Sequence, residues 1–284
     1  MLSKFLLLAG IVHSQKNKIM SFLSVRGNKY LPIKVLEGTL LPGTIFVIWL
    51  ICSRLNILSK DFFPSPGDVV NGFHEVLNDG SFLDNLGMSV IRVLKGFLLG
   101  STVGFVIGIT LGMSRFLEKL ITPIFNAIRQ VPLPAWAPLL VLVSLGEMSR
   151  VLFIAIGACY PVVLNTFEGV KNVRNDYVEV GKVFKFNRVQ RFFKIILPSS
   201  FPSTLTGLRL SLSISWMLVV AAEIFMTSGG GIGEMMWACR EYSRMDLVVV
   251  CIIAIALVGF TMNFFMQKME MFFSFWRLTL KQSR

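Results

Sequence analysis

The composition of this chain is that of a membrane protein. It has 284 residues, of which 54% are hydrophobic and only 15% are charged, whereas a soluble domain carries about 25% charged residues. The mean hydropathy of +0.68 therefore excludes a soluble globular protein. In a soluble protein, the formal charge of +12 would suggest nucleic acid. In a membrane protein its meaning depends on which side of the bilayer the charges occupy, and no nucleic-acid partner is predicted.

Uncharged apolar runs predict an all-α, polytopic membrane protein with about six transmembrane helices, since a span needs about 20 apolar residues. The expected spans are 37–54, 86–114, 120–146, 150–168, 201–224 and 247–267. In the second span a glycine recurs at every fourth position from Gly96 to Gly112, which predicts close contact with a neighbouring helix. The third span contains Pro132, Pro134 and Pro138 and is expected to be kinked or broken.

The segments between the spans have different characters. Residues 54–84 combine a Pro-Ser-Pro-Gly sequence with five acidic residues, which predicts a loop with one short surface helix. The glycine run 229–233 predicts a flexible external turn. Residues 171–194 mix seven basic residues with regularly spaced apolar ones, which is typical of an amphipathic helix outside the membrane.

The distribution of basic residues predicts the orientation. With six spans, one side of the bilayer receives 19 Lys and Arg residues and the other receives five, while four fall in or beside the spans. Because basic loops stay on the cytoplasmic side, both termini are expected to be cytoplasmic. The domain organisation is then a cytoplasmic tail over 1–35, a transmembrane domain over 36–270 with a cytoplasmic loop at 171–198, and a cytoplasmic tail over 271–284.

The sequence gives little support for an enzyme. Both histidines lie outside the spans, and neither GxSxG nor HExxH occurs. The glycine run at 229–233 lacks the Lys-Ser/Thr pair of a P-loop, so this chain is not expected to hydrolyse ATP by that route. The four cysteines have no ligand spacing, and no metal site and no cofactor are predicted for this chain.

The segment 179–198 carries the most specific pattern. Glu179, Val180 and Gly181, then Lys185, then Ile195, Leu197 and Pro198 follow the spacing E-A-A-x3-G-x9-I-x-L-P. This pattern resembles the EAA loop in permease subunits of binding-protein-dependent ABC importers. Further segments resemble the nitrate, sulfonate and taurine branch of that family: FFPSPGDVV at 62–70, RQVPLPAWAPL at 129–139, LTGLRLSLSISWMLVVAAE at 205–223 and GIG at 231–233.

The resemblance covers about residues 60–275 and implies a type I ABC importer-like transmembrane domain in the inner membrane of a bacterium. It implies a second permease copy, two ATPase subunits that hold ATP and Mg²⁺, and an extracytoplasmic solute-binding protein. The solute would be small and anionic, such as a sulfonate, taurine or nitrate. A secondary carrier of small anions is the alternative. It needs coupling-ion carboxylates at the midplane, and only Glu223 is near membrane depth.

The physical properties of residues 171–198 agree with docking to an ATPase. Small side chains near Gly181 allow close approach, the apolar face can be buried in a partner, and Pro198 is expected to end the segment before the fifth span. A basic helix lying on anionic lipid is the alternative. Lys185 stands where the family has glycine, and Lys at positive φ costs roughly 1 kcal/mol. We therefore expect the turn to move to Asn187, unless the two helices are joined differently.

Three charged residues fall at or near membrane depth, where charge is costly unless it faces a pathway or a partner. These are Arg129, Arg209 and Glu223, and they are the candidates for the substrate path. Arg129 precedes the three prolines of the third span, and broken helices tend to line cavities. The alternatives are that Arg129 reaches the cytoplasmic headgroups, that Arg209 pairs with a neighbouring helix and that Glu223 lies at the external surface.

Overall fold

The computed structural model describes residues 31–55, 63–143, 146–226 and 229–281, and the side chains within 40–273 of those ranges. Every regular element in this part of the chain is helical. The chain divides into two compact units, Met1–Pro66 and Gly67–Arg284. The expected tail 1–35 lies outside the described residues except for its last five, and residues 282–284 of the other tail do so as well.

The first unit contains helix α1, Leu31–Arg54, which includes the expected first span. Its apolar part, Leu40–Arg54, is shorter than 18 residues. The indole of Trp49 donates a hydrogen bond to the carbonyl of Pro64 at 3.1 Å and packs edge-on against Phe46 and Phe63. These contacts place Phe63 and Pro64 against the helix.

The second unit holds the main helices. In chain order they are α2 (Pro66–Asp79), α3 (Ser81–Met113), α4 (Arg115–Gln130), α5 (Ala137–Val143), α6 (Glu147–Lys171), α7 (Asn175–Val183), α8 (Arg188–Arg191), α9 (Leu197–Phe225), α10 (Ile232–Glu241) and α11 (Met245–Lys281). Four stretches of the described chain are long and apolar enough to cross a bilayer: Ser81–Met113, Glu147–Lys171, Arg188–Phe225 and Met245–Phe273. The last helix extends well beyond the expected limit at 267.

Glycines bring α3 and α6 into backbone contact, as the fourfold spacing predicted. A Cβ placed at Gly100 would lie 2.2 Å from the carbonyl oxygen of Ala155, and one at Gly108 would lie 2.8 Å from that of Val163. The contacts advance together from Gly96 beside Ile154 to Gly112 beside Val170, so the two helices run parallel. Only hydrogen fits between the helices at these positions, and each glycine is required for the contact.

The expected third span is broken, as its prolines predicted. Helix α4 ends at Gln130, a single 3₁₀ turn covers Leu133–Trp136, and α5 follows directly. Pro132 and Pro134 lack the N–H that an α-helix needs at these positions, so the chain cannot continue α4 in a straight line. Neither α4 nor the turn contains a buried residue.

The core of this unit lies between α3, α6 and α9. Fully buried apolar side chains fill it, including Val93, Phe153, Ile154 and Val219. Helix α9 is antiparallel to α6, since Gly157 faces Leu218 and Gly169 faces Ser203. The last helix packs on α9, and the Trp216 indole donates to the carbonyl of Ile255 at 2.9 Å.

Pro198 does not end the segment before the fifth span, contrary to the sequence prediction. The chain is helical without interruption from Arg188 to Phe225. Residues Phe192–Ile196 form one π-helical turn, and the N–H of Leu197 bonds to the carbonyl of Phe192, five residues earlier. The wider turn accommodates the proline ring and its missing N–H at the start of α9.

Candidate functional site

Residues 171–198, called here the projecting loop, form a hairpin at one end of the second unit. Helix α7 packs against the π turn, and a Cβ placed on the buried Gly181 would lie 2.6 Å from Cδ1 of Ile195. The N–H of Phe186 donates to the carbonyl of Gly181 at 2.9 Å. The small residue of the motif, Gly181, therefore lies inside the hairpin against Ile195. Ile195 and Leu197 are both half-buried.

The turn of this hairpin lies at Lys185 and not at Asn187. Lys185 has φ of 54°, whereas Asn187 has φ of −69° and ψ of 172°. The predicted relocation is therefore wrong. Asn187 serves as the N-cap of α8, where its side chain accepts from the N–H of Gln190 at 2.7 Å and the Gln190 side chain accepts in return. This capping box needs an extended Asn187, so the left-handed residue has to come earlier.

The outer surface of the projecting loop is apolar with a basic rim. The side chain of Val183 is 80% exposed and that of Phe184 is 68% exposed. Glu179 and Val180 lie exposed on the same helix, and Pro198 is exposed at the start of α9. The surrounding exposed basic residues are Lys182, Lys185, Arg188 and Lys194. Such a surface offers both apolar area and positive charge to a partner.

The three charged candidates for the path lie in different surroundings. Arg129 is exposed in the last turn of α4, directly before the break at Pro132. Arg209 donates to Glu270 of α11 at 2.9 Å, and Thr206 donates to the same carboxylate at 2.7 Å. Arg209 is therefore a tie between α9 and α11, which is the alternative that the sequence left open.

Glu223 lies in a buried polar network at the other end of the unit. Its carboxylate accepts from Ser89 Oγ at 2.7 Å, from Arg92 at 2.7 Å and from the N–H of Gly233 at 2.8 Å. None of its side chain is exposed. Because each of these bonds comes from the chain itself, Glu223 is held as an internal anchor.

The same network holds the glycine run 229–233 in place. The sequence predicted a flexible turn here. Arg92 donates to the carbonyls of Gly229 and Gly230, both at 2.6 Å, and the N–H of Gly231 donates to Asn85 at 2.7 Å. A Cβ at Gly229 would lie 2.0 Å from the Arg150 guanidinium, and Gly231 has φ of 120°. Because these residues are glycines, Arg92 and Arg150 can contact the loop backbone directly, and their contacts hold the turn in place.

Comparison with known proteins identifies this architecture. Residues 100–271 match the family described as "Binding-protein-dependent transport system inner membrane component". The chain belongs to this family. It is a membrane-embedded transport permease and not a catalytic enzyme.

Individual relatives agree with this assignment. The permease is 37% identical over 243 residues to the putative aliphatic sulfonates transport permease protein SsuC of Bacillus subtilis, across 85% of this chain and 88% of the relative. It is 31% identical over 274 residues to the nitrate import permease protein NrtB of Synechocystis, across 92% and 95%. It is 34% identical over 188 residues to the bicarbonate transport system permease protein CmpB of Synechocystis, across 66% and 67%.

Solved structures show the same fold at low sequence identity. An amino acid ABC transporter crystallised with histidines gives a TM-score of 0.55 at 17% identity, across 71% of the permease and 96% of that chain. The MetNI methionine ABC transporter, in an inward-facing conformation, gives 0.52 at 15% identity, across 65% and 95%. The expected transporter-like transmembrane fold is therefore confirmed.

Sequence reasoning did not find Arg92, Glu147 and Arg150 of the permease. Arg92 and Arg150 are each 2% exposed. Both Glu147 oxygens accept from Arg92 Nε at 2.9 Å, and Arg150 donates to the carbonyl of Met226. The available signal was Arg92 itself, since it falls inside the expected span 86–114, where an unpaired charge is costly.

Proposed function

We propose that this permease couples the import of a small anion to ATP hydrolysis on separate ATPase subunits. The observation that carries the proposal is the projecting loop, a closed hairpin with an apolar outer surface around Val183 and Phe184. Exposed apolar patches of this kind mark interaction sites. The basic rim fits an acidic rim on the partner and sets its orientation.

The proposed assembly contains two permease copies, two ATPase subunits and an extracytoplasmic solute-binding protein. ATP and Mg²⁺ are held by the ATPase subunits, because the permease sequence has no P-loop. The projecting loop and both termini then face the cytoplasm, in agreement with the excess of basic residues on that side. Glu179 and Val180 lie on the exposed face of α7, where they contact the ATPase, while Gly181 and Ile195 keep the loop rigid.

Helix α4 supports a path between two permease copies. A polar stripe runs along one face at spacings of three and four residues, through Arg115, Lys119, Thr122, Asn126 and Arg129. The apolar residues of the opposite face, Phe116, Leu120, Ile124 and Ile128, are exposed as well. A polar stripe at membrane depth does not face lipid. It lines a water-filled path, which a second copy would complete on the two-fold axis.

The named substrates of the relatives and the position of Arg129 favour an anionic solute. Sulfonates, nitrate and bicarbonate, named for the relatives, are all anions. The 16 residues of α4 extend about 24 Å, within a hydrocarbon core of about 30 Å. With Arg115 near one edge, Arg129 lies well inside, where a guanidinium attracts an anion strongly. Arg209 and Glu223 act as helix ties.

A substitution on the loop surface tests the docking. Val183→Asp places a charge in the centre of the apolar patch and leaves the buried side of the hairpin unchanged. We expect at least about tenfold less ATPase to co-purify with the tagged permease, since a charge in a desolvated contact costs more than about 1.4 kcal/mol. Tyr242→Asp is the matched control, because Tyr242 is also 80% exposed but lies at the opposite end. Equal ATPase recovery with both variants would contradict the docking.

A second experiment tests the path. Arg129→Gln removes the charge, and Arg129→Lys retains it. We expect the Gln variant to lose uptake of radiolabelled taurine, nitrate or an alkanesulfonate by about tenfold or more, while ATP hydrolysis by the complex continues. The Lys variant should keep most of the uptake. Unchanged uptake in the Gln variant would remove Arg129 from the path, and uptake without ATP would favour a secondary carrier.

A further inference from the structure

Glu147 is the exposed member of the otherwise buried network around Arg92 and Arg150. Its side chain is 47% exposed, whereas those of Arg92, Arg150 and Glu223 are between 0% and 3% exposed. Both Glu147 oxygens accept from Arg92 Nε at 2.9 Å, and one of them lies 3.7 Å from a terminal nitrogen of Arg150. A solute outside the permease would therefore contact these two arginines only at the position that the Glu147 carboxylate occupies.

Glu147 is one of the two carboxylates that form ion pairs with Arg92 and Arg150. Two guanidinium groups, Arg92 and Arg150, face two carboxylates, Glu147 and Glu223. Glu223 bonds to Arg92 and also binds Ser89 and the N–H of Gly233, so it is fully engaged. Arg150 has the carbonyl of Met226 and the longer ion pair with Glu147. Removal of the Glu147 carboxylate takes away the acceptor of Arg92 Nε and the ion-pair partner of Arg150. A further carboxylate nearby, that of Glu234, accepts from the N–H of Gly229 at 3.1 Å.

The position of the Glu147 carboxylate favours negative charge for a further reason. Glu147 is the first residue of α6, a helix of 25 residues, and helix N-termini attract anions. The preceding Gly146 has φ of 69°, and among the described residues no atom lies within 4 Å of an added Cβ there. A carboxylate, a nitrate and one edge of a sulfonate all present two oxygens to a guanidinium.

We propose that Arg92 and Arg150 form a binding site for small oxyanions at the glycine-loop end of the permease, and that the Glu147 carboxylate is its resident anion. An incoming oxyanion replaces Glu147, which swings into solvent. Because Glu147 is tethered beside the arginines, its effective concentration is high and the free anion competes weakly in the native chain. The site is then an entry station ahead of Arg129. In taking the imported solute to be an oxyanion, the proposal rests on the proposed function.

The test is chemical rescue of a variant that vacates the site. Glu147→Gln in the purified complex should lower the melting temperature by about 5 °C, since it leaves a buried charge unpaired. Sodium methanesulfonate, at constant ionic strength, should restore at least half of that loss with saturation. Neutral dimethyl sulfone should restore none. Should Glu147→Gln fail to assemble, Glu147→Asp keeps the charge but withdraws it by one methylene, and it should show a smaller loss with the same rescue.

The matched control is Glu270→Gln, which breaks the ion pair with Arg209, a residue about 21 Å along α9 from Glu223. It should be destabilised but not rescued by methanesulfonate. The proposal is overturned if Glu147→Gln is not rescued, or if both variants are rescued equally. Uptake by the wild-type complex is measured separately. Rescue without any uptake of oxyanions would support the binding site and refute the proposed function. Uptake without rescue would support the proposed function and refute the binding site.

Discussion

The glycine stripe of α3 makes a sharp prediction about helix contact. Gly100→Ala adds a single methyl group at the position where α3 comes closest to the backbone of α6. The ideal Cβ would lie 2.2 Å from the carbonyl oxygen of Ala155 and 2.8 Å from Cβ of Ala158. Backbone carbonyls cannot rotate away as a flexible side chain can, so the two helices have to separate.

The size of the effect follows from this geometry. Ordinary contacts begin at 3.4 Å, so α3 and α6 must move apart by about 1 Å at this point, in a core packed as densely as an organic crystal. Overpacking of this kind costs about 1–3 kcal/mol. The higher helix propensity of alanine offsets up to about 1 kcal/mol of that cost. We expect a net loss of about 1–2 kcal/mol, and a melting temperature lower by about 2–8 °C.

Thermal unfolding of the detergent-solubilised permease measures this difference. Gly87→Ala is the matched control, since Gly87 lies in the same helix and an added Cβ there meets no atom within 4 Å. The control should equal or exceed the wild type, because it gains helix propensity without a clash. If Gly100→Ala melts at or above the temperature of Gly87→Ala, the backbone contact between α3 and α6 does not exist as described.

Three further predictions concern the projecting loop and the ion pair of Glu75. Lys185→Gly relieves a left-handed residue worth about 1 kcal/mol, so amide exchange in the projecting loop should slow about fivefold. Asn187→Ala removes the N-cap of α8, worth about 1 kcal/mol, and should accelerate exchange there by a similar factor. A hydrogen bond from Arg244, which also binds Asp246, lowers the pKa of Glu75. A carboxyl group with a lowered pKa stabilises the fold when it is ionised, and this stabilisation is lost as the pH falls. The melting temperature should therefore decrease below about pH 4.5, and it should decrease less in Arg244→Gln.

Features set by neighbouring residues could be predicted from the sequence. The contact through Gly96 to Gly112 follows from a spacing that places all of its members on one helix face. The break after Arg129 follows from prolines that act on their own backbone. The fold class follows from the hydropathy of individual segments, and the projecting loop from the spacing between Glu179 and Pro198.

Features set by distant residues were missed. Arg92 bonds to Gly230, 138 residues along the chain, and to Glu147, 55 residues along. No local pattern in the sequence indicates that these groups meet, so Glu223 was assigned to the path and the glycine run to a flexible turn. The prediction that the turn would move from Lys185 to Asn187 was wrong for a related reason. Asn187 tolerates the left-handed region better than Lys, but the capping box with Gln190 holds it extended.

The parallel contact of α3 and α6 has a mechanical consequence. From Gly96 to Gly112, over about 24 Å, an added Cβ at each glycine of the stripe would lie within 3.3 Å of a backbone carbonyl oxygen of α6. Two rods joined along their length resist bending far more than either does alone. Helix α6 ends at Lys171, where the projecting loop begins, and starts at Glu147. In the proposed assembly, a movement of the projecting loop would therefore be transmitted along the paired helices α3 and α6 to Glu147 and Arg150. The proline-broken connection between α4 and α5, whose 3₁₀ turn contains no buried residue, is a place where we expect bending.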